Sequence, residues 1–167
     1  QRQIVINKQF VDNLGFKSLQ EKTKKKIVIK IKPRLGEDME GAEKYLKNVF
    51  AGLEIDVIGV TEKTDIELIK SAHSVISYGT AMSIKSMLMK KPTVIVEGIG
   101  YLGLFNEYYN KISLQQSSQQ KDMLLKAISD YDENKNLNFL KNIEYSQSFN
   151  SSQKFAKSIT EIINNKK

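Results

Sequence analysis

The chain has 167 residues, no cysteine, a net charge of +7 and 40% apolar residues. That length suits a single domain over residues 1–167, with a core large enough to fold without metals; the lack of cysteine excludes disulfide scaffolds and thiolate metal sites. No apolar run reaches the roughly 20 residues of a membrane-spanning helix, and the start QRQIVINKQF lacks a signal-peptide layout.

The charge is unevenly placed. Residues 1–34 hold ten Lys/Arg against two Asp/Glu, and the remainder hold sixteen against seventeen, so the positive excess is N-terminal. Such a patch suits nucleic acid, an acidic membrane surface or an anionic substrate, or is simply a solvated lysine-rich face. No aromatic interleaving, RNA-binding signature or zinc-ligand spacing accompanies it, and nucleic acid is not an expected partner.

Apolar β-branched runs alternate with helical patterns, which is the order of βαβ units around a largely parallel sheet. Strands are expected at residues 4–6, 26–31, 55–60, 74–77 and 93–96. Helices are expected at 40–50, with Ala42, Tyr45, Leu46 and Val49 on one face, at 65–72, with Ile66, Ile69 and Ala72 on one face, and at 81–90. After Val96 the sequence EGIGYLGLFNEYYNKISLQQSSQQ reads as one long loop. Two further helices are expected, at 121–131 on Leu124, Leu125 and Ile128, and at 152–164 on Phe155, Ile159, Ile162 and Ile163.

In open parallel sheets ligands sit beyond the carboxyl ends of the strands, where turns present backbone N–H groups at helix starts. Three turns qualify. KIVIKIKPRLGED brings Lys30, Lys32 and Arg34, of which Arg34 suits a bidentate phosphate contact and Lys32 a point charge, although alternating lysines also mark a half-exposed strand. Ser77-Tyr78-Gly79-Thr80 places a glycine for close approach or positive φ and a threonine to cap the next helix, with an ordinary strand-to-helix turn as the alternative. The third, 98–107, offers Gly98, Gly100 and Gly103 for amide contacts and Tyr101 or Phe105 to pack on a base or sugar, or is a plain connector. His73 has no catalytic or metal partner at a diagnostic spacing and reads as structural or surface, while Glu62, Asp65 and Glu67 are unpaired candidates for a general base.

The order of these motifs resembles the C-terminal, nucleotide-sugar-binding half of GT-B-fold glycosyltransferases of bacterial capsule and surface-polysaccharide synthesis. Lys30-Ile31-Lys32-Pro33-Arg34 stands where the family has Lys-X-His-Pro-Arg, and Asp65 to Ile69 where it has an Asp-X-X-X-Leu helix. Ser77-Tyr78-Gly79-Thr80 stands for Ser-X-Gly-Ser/Thr, and Lys90-Lys91-Pro92 for Gly-Lys-Pro before a strand; the likeness runs from about residue 26 to 103. Two positions depart from it: Lys32 replaces the histidine, and Lys85 replaces a helix glutamate that binds the donor ribose in many members. An ammonium only donates hydrogen bonds, so Lys85 cannot replace that carboxylate in kind and points instead to a phosphate, a donor carboxylate or a degenerate site.

The resemblance implies a Rossmann-like parallel sheet with helices on both faces, a single GT-B-type half with a helical C-terminus. It implies donor contacts at Lys30, Lys32, Arg34, Ser77, Gly79, Thr80, Lys85, Tyr101 and Gly103. The reaction implied is displacement at the anomeric carbon of a UDP-, CMP- or similar sugar, with the leaving phosphate stabilised by helix starts and basic side chains, and without a cofactor or metal among these residues. The chain begins with Gln1 and holds one such half, so the acceptor domain and its base are expected in a missing N-terminal domain or on a partner chain. This chain alone is then expected to bind donor without turnover, in the cytoplasm or at the inner face of the plasma membrane. The alternatives are an epimerase or polyol-phosphate transferase of the same fold, and a non-catalytic relative whose basic face binds a partner or an acidic membrane.

Overall fold

The computed structural model describes residues 6–31, 38–59, 64–97, 105–113 and 122–145. These form seven helices and five strands. The chain opens with α1 (Lys8–Leu14) and α2 (Phe16–Thr23), followed by β1 (Ile27–Lys30), α3 (Met39–Val49) and β2 (Ile55–Ile58). Next come α4 (Asp65–Ser71), β3 (Val75–Ser77), α5 (Ala81–Leu88), β4 (Thr93–Glu97), β5 (Lys111–Ser113), α6 (Met123–Ser129) and α7 (Glu133–Tyr145).

Every strand pair is parallel. β1 pairs with β2 in the register Ile27 to Ile55 and Lys30 to Ile58, and a second sheet runs β3-β4-β5, with Ile95 opposite both Ser77 and Lys111. Helices α3 and α5 carry the crossovers from β1 to β2 and from β3 to β4 that parallel neighbours require, and α4 leads from the first sheet to the second. The expected single sheet is therefore two small ones, with no hydrogen-bonded ladder joining β1 to β3 among the described residues. One core nevertheless spans both: Ile27, Ile29, Ile55 and Val57 pack against the buried cluster that contains Val94, Val96 and Ile112.

β4 shows why the architecture has three layers. Val94, Ile95 and Val96 are all buried, and alternate residues on a strand point to opposite faces. Val94 and Val96 join Val11 and Leu14 of α1, Leu19 of α2, Leu46 of α3 and Leu124 of α6, while Ile95 joins Met87 of α5 and Phe139 of α7. A strand buried on both faces reads as the continuous apolar run that TVIV is. Two of the three residues that α5 buries are small, which lets the helix approach the strands: Ser83 and Ser86 are fully buried beside Met87, and the Ser86 hydroxyl lies 2.7 Å from Thr93 Oγ1 of β4. Among the described residues no helix is long and apolar enough to cross a membrane.

The N-terminal region differs from expectation. Ile4 and Val5 of the expected first strand lie outside the described residues, and Ile6 precedes a helix capped by Asn7, whose side chain accepts from Phe10 N at 2.9 Å. Gly15 ends α1 and starts α2 at φ 77, a left-handed value that glycine adopts without steric cost. The expected loop after Val96 contains β5, and α7 occupies residues that the sequence left unassigned. The expected helix 152–164 lies outside the described residues.

Some of the N-terminal lysines are paired with acids from later in the chain. Lys22 pairs with Asp122 at 3.3 Å and Lys26 with Asp56 at 2.9 Å. On β1, Ile27 and Ile29 pack on the core while Val28 between them is exposed, as on a half-exposed strand.

Candidate functional site

Lys30 is the last residue of β1, Asp65 the first of α4 after β2, and Lys85 lies on α5 after β3. The fold brings these three side chains together. Lys30 Nζ donates to Asp65 Oδ1, and Lys85 Nζ donates to Asp65 Oδ2 at 2.9 Å. The cluster is semi-enclosed, with side-chain exposures of 24% for Lys30, 32% for Asp65 and 21% for Lys85. The Lys30 ammonium, and after it that of Lys85, holds the Asp65 carboxyl below the usual carboxylate range; burial acts in the opposite direction. A carboxyl held down in this way is a weaker base than an ordinary aspartate, so Asp65 suits charge organisation better than proton abstraction.

Asp65 titrates lower in the folded chain than its ordinary value of 3.8, so its contacts contribute stability that is complete above about that pH. That contribution is lost as pH falls through the lowered value. Asp65→Asn is expected to remove about 1 kcal/mol at neutral pH, after allowance for solvent screening, and to flatten the acid limb of the stability curve. Thermal melts from neutral pH down through the carboxylate range test this, and an acid limb left unchanged would remove Asp65 from the titrating groups.

The Ser77–Thr80 turn lies between β3 and α5. Thr80 caps α5, accepting from Met82 N at 3.2 Å, and Ser83 Oγ accepts from Thr80 N at 3.1 Å to complete a reciprocal cap. Ser83 also donates to Ser77 Oγ at 2.8 Å, and Ser77 Oγ lies 3.2 Å from Thr80 Oγ1. Three hydroxyls are thus linked, with Thr80 exposed and Ser83 buried beneath it.

Gly79 does what its sequence context suggested in one respect and not in another. Its φ is 71, which favours glycine. The space a Cβ would occupy, however, faces the Phe105 ring, whose Cδ2 would be 2.8 Å away. The close approach at Gly79 is therefore to the protein's own aromatic side chain. Phe105 in turn cannot serve as the expected base or sugar platform, because it is buried and stacked on Phe139 at 6.1 Å. Lys32, Arg34, Tyr101 and Gly103 lie outside the described residues.

Other sequence candidates have structural roles. Lys91 Nζ donates to Lys70 O and Ala72 O, each at 2.9 Å, which closes the end of α4; Lys90 pairs with Glu133 at 2.7 Å. Glu67 completes the α4 cap by accepting from Thr64 N at 2.7 Å, and His73 is exposed. Glu62 lies outside the described residues. An open cleft of about 540 Å³ lies elsewhere, between β5 and α6, lined by Tyr109, Lys111, Lys126 and Lys135 among others. It includes none of the sequence-predicted residues, and the strand-end cluster is the better candidate because parallel sheets present loops and helix starts there.

Asp65 is the residue that the sequence undervalued. It was legible as a carboxylate at a helix start, but its lysine partners are 35 and 20 residues away and only the crossovers unite them. No protein-family model, no curated protein and no solved structure matches the chain.

Proposed function

We propose that the chain is the nucleotide-sugar-binding half of a GT-B-type glycosyltransferase of bacterial surface-polysaccharide synthesis, working with an acceptor domain on the cytoplasmic side of the membrane. The observation that supports this most is the convergence of Lys30, the last residue of β1, and Lys85 of α5 on Asp65 at the start of α4. Two ammoniums in a semi-enclosed setting suit the phosphates of an activated sugar, and charge there counts for more than on an open surface. The exposed Thr80 hydroxyl at the start of α5 adds a donor and acceptor beside the same crossover. In this reading Lys30 and Lys85 hold the leaving diphosphate while the anomeric carbon is attacked, and the base that activates the acceptor comes from the acceptor domain.

A second reading, a non-catalytic relative of the same fold, draws support from two features. Asp65 already accepts from both lysines, and Phe105 accounts for the glycine at position 79. Calorimetric titration with UDP-, CMP-, CDP- and GDP-sugars separates the two. The first reading expects saturable binding of one nucleotide class, weakened at least about tenfold by Lys85→Glu, which places a negative charge beside the phosphates. No binding of any sugar nucleotide by a sample that melts cooperatively would overturn it in favour of the second.

A further inference from the structure

The Lys30–Asp65–Lys85 cluster resembles a bound anion held by two cations, except that the anion belongs to the chain. One Asp65 oxygen faces each ammonium, so the carboxylate bridges the two lysines as a phosphate would. We infer that Asp65 is a tethered counter-ion that competes with ligand phosphate for Lys30 and Lys85, keeping the lysines paired in the empty site and loosening the hold on a departing phosphate product. The inference rests on the donor-site reading above and deepens it.

Lysines that are three-quarters or more enclosed are costly to leave without an anion, and Asp65 meets that need when no ligand is present. Asp65 is anchored at its backbone by the capped start of α4, where Thr64 accepts from Glu67 N, so its carboxylate stays at high local concentration. Its depressed proton affinity reports attraction to the two ammoniums, which a ligand anion must share or replace. An added phosphate thus meets two attractive charges and one repulsive charge at close range.

Removing the competitor should strengthen anion binding. Inorganic pyrophosphate is the probe, titrated calorimetrically into the wild-type chain, Asp65→Asn and Asp65→Glu. Asp65→Asn is expected to bind about tenfold more tightly, the size of one screened charge interaction at a partly exposed site. Asp65→Glu keeps the charge and is expected to bind like the wild type. Adding Lys85→Met to Asp65→Asn should cancel the gain, which a merely structural role for Asp65 would not do. Asp65→Ser, which suits a helix start, carries the same expectation if the asparagine variant does not fold. Pyrophosphate binding by either charge-removed variant that is no tighter than wild type, with a cooperative melt retained, would overturn the inference. A sugar nucleotide that binds without this gain would sink the counter-ion alone; the gain without any sugar-nucleotide binding would sink the glycosyltransferase reading alone.

Discussion

Gly79→Ala is expected to destabilise the chain by about 2–5 kcal/mol. Two costs combine. An alanine at the left-handed φ of 71 meets backbone strain of roughly 1–2 kcal/mol. Its Cβ would also lie 2.8 Å from Phe105 Cδ2, inside contact distance of a ring that is stacked on Phe139 and cannot swing clear without disturbing the α5–α7 side of the core. Overpacking of that kind adds roughly 1–3 kcal/mol. Denaturant titration reads the total, and a double-mutant cycle divides it. In a Phe105→Ala background the steric part should vanish and only the φ strain of about 1–2 kcal/mol should remain. Equal costs in both backgrounds would show that Phe105 is not what confines position 79.

Asn136→Ala carries an expected loss of similar size, about 2–4 kcal/mol. Asn136 is fully buried on α7, where its Nδ2 donates to Met87 O at 3.0 Å and its Oδ1 lies 3.4 Å from the Tyr108 hydroxyl. Met87 O is near the C-terminal end of α5, so one amide fastens α7 to the helix that carries Thr80 and Lys85. Truncation removes a buried hydrogen bond worth about 1 kcal/mol, leaving Met87 O with the Lys90 N–H alone, and opens a cavity that costs roughly 1–3 kcal/mol. Asn136→Leu separates these effects because it restores volume without the donor. Stability recovered fully by leucine would mean that packing alone, and not the hydrogen bond to Met87 O, holds the two helices together. The Asn136 contact also links packing to the site, since it holds the same helix whose Lys85 reaches Asp65.

Much of this fold can be seen in the residues. The runs at 27–30, 55–58, 75–77 and 93–97 are apolar and β-branched, and the intervening helices have visible starts: Thr64 and Thr80 both cap. What escaped has local reasons. Gly15 divides residues 8–23 into helices of seven and eight residues, too short for a 3.6-residue period to repeat convincingly. β5 is three residues, Lys-Ile-Ser, with Ile112 buried between two half-buried neighbours, and a single apolar residue is too short a pattern to mark a strand. In α7 a polar residue, Asn136, is in the core while Leu137 is among the exposed apolar side chains, which reverses the usual pattern.

The site was legible in parts and not in its arrangement. Lys30 and the Ser77–Thr80 turn stand out by their place after strands, and Lys85 stands out as a cation where the resembling family carries an acid. That Lys85 reaches a carboxylate on the preceding helix is a fact of topology, set by how α4 and α5 cross β3. Gly79 has the positive φ that its turn suggested, and also a reason that its sequence neighbours do not show: the Phe105 ring, 26 positions on, leaves no room for a Cβ.

The most direct test of the account is to map where a sugar nucleotide binds. With the ligand that the titration panel selects, NMR spectra of backbone amides and lysine side chains should show perturbations concentrated at Lys30, Asp65, Ser77, Thr80 and Lys85. Perturbations confined instead to the cleft at Tyr109, Lys111 and Lys126, with the Lys30–Asp65–Lys85 resonances unmoved at saturation, would contradict it.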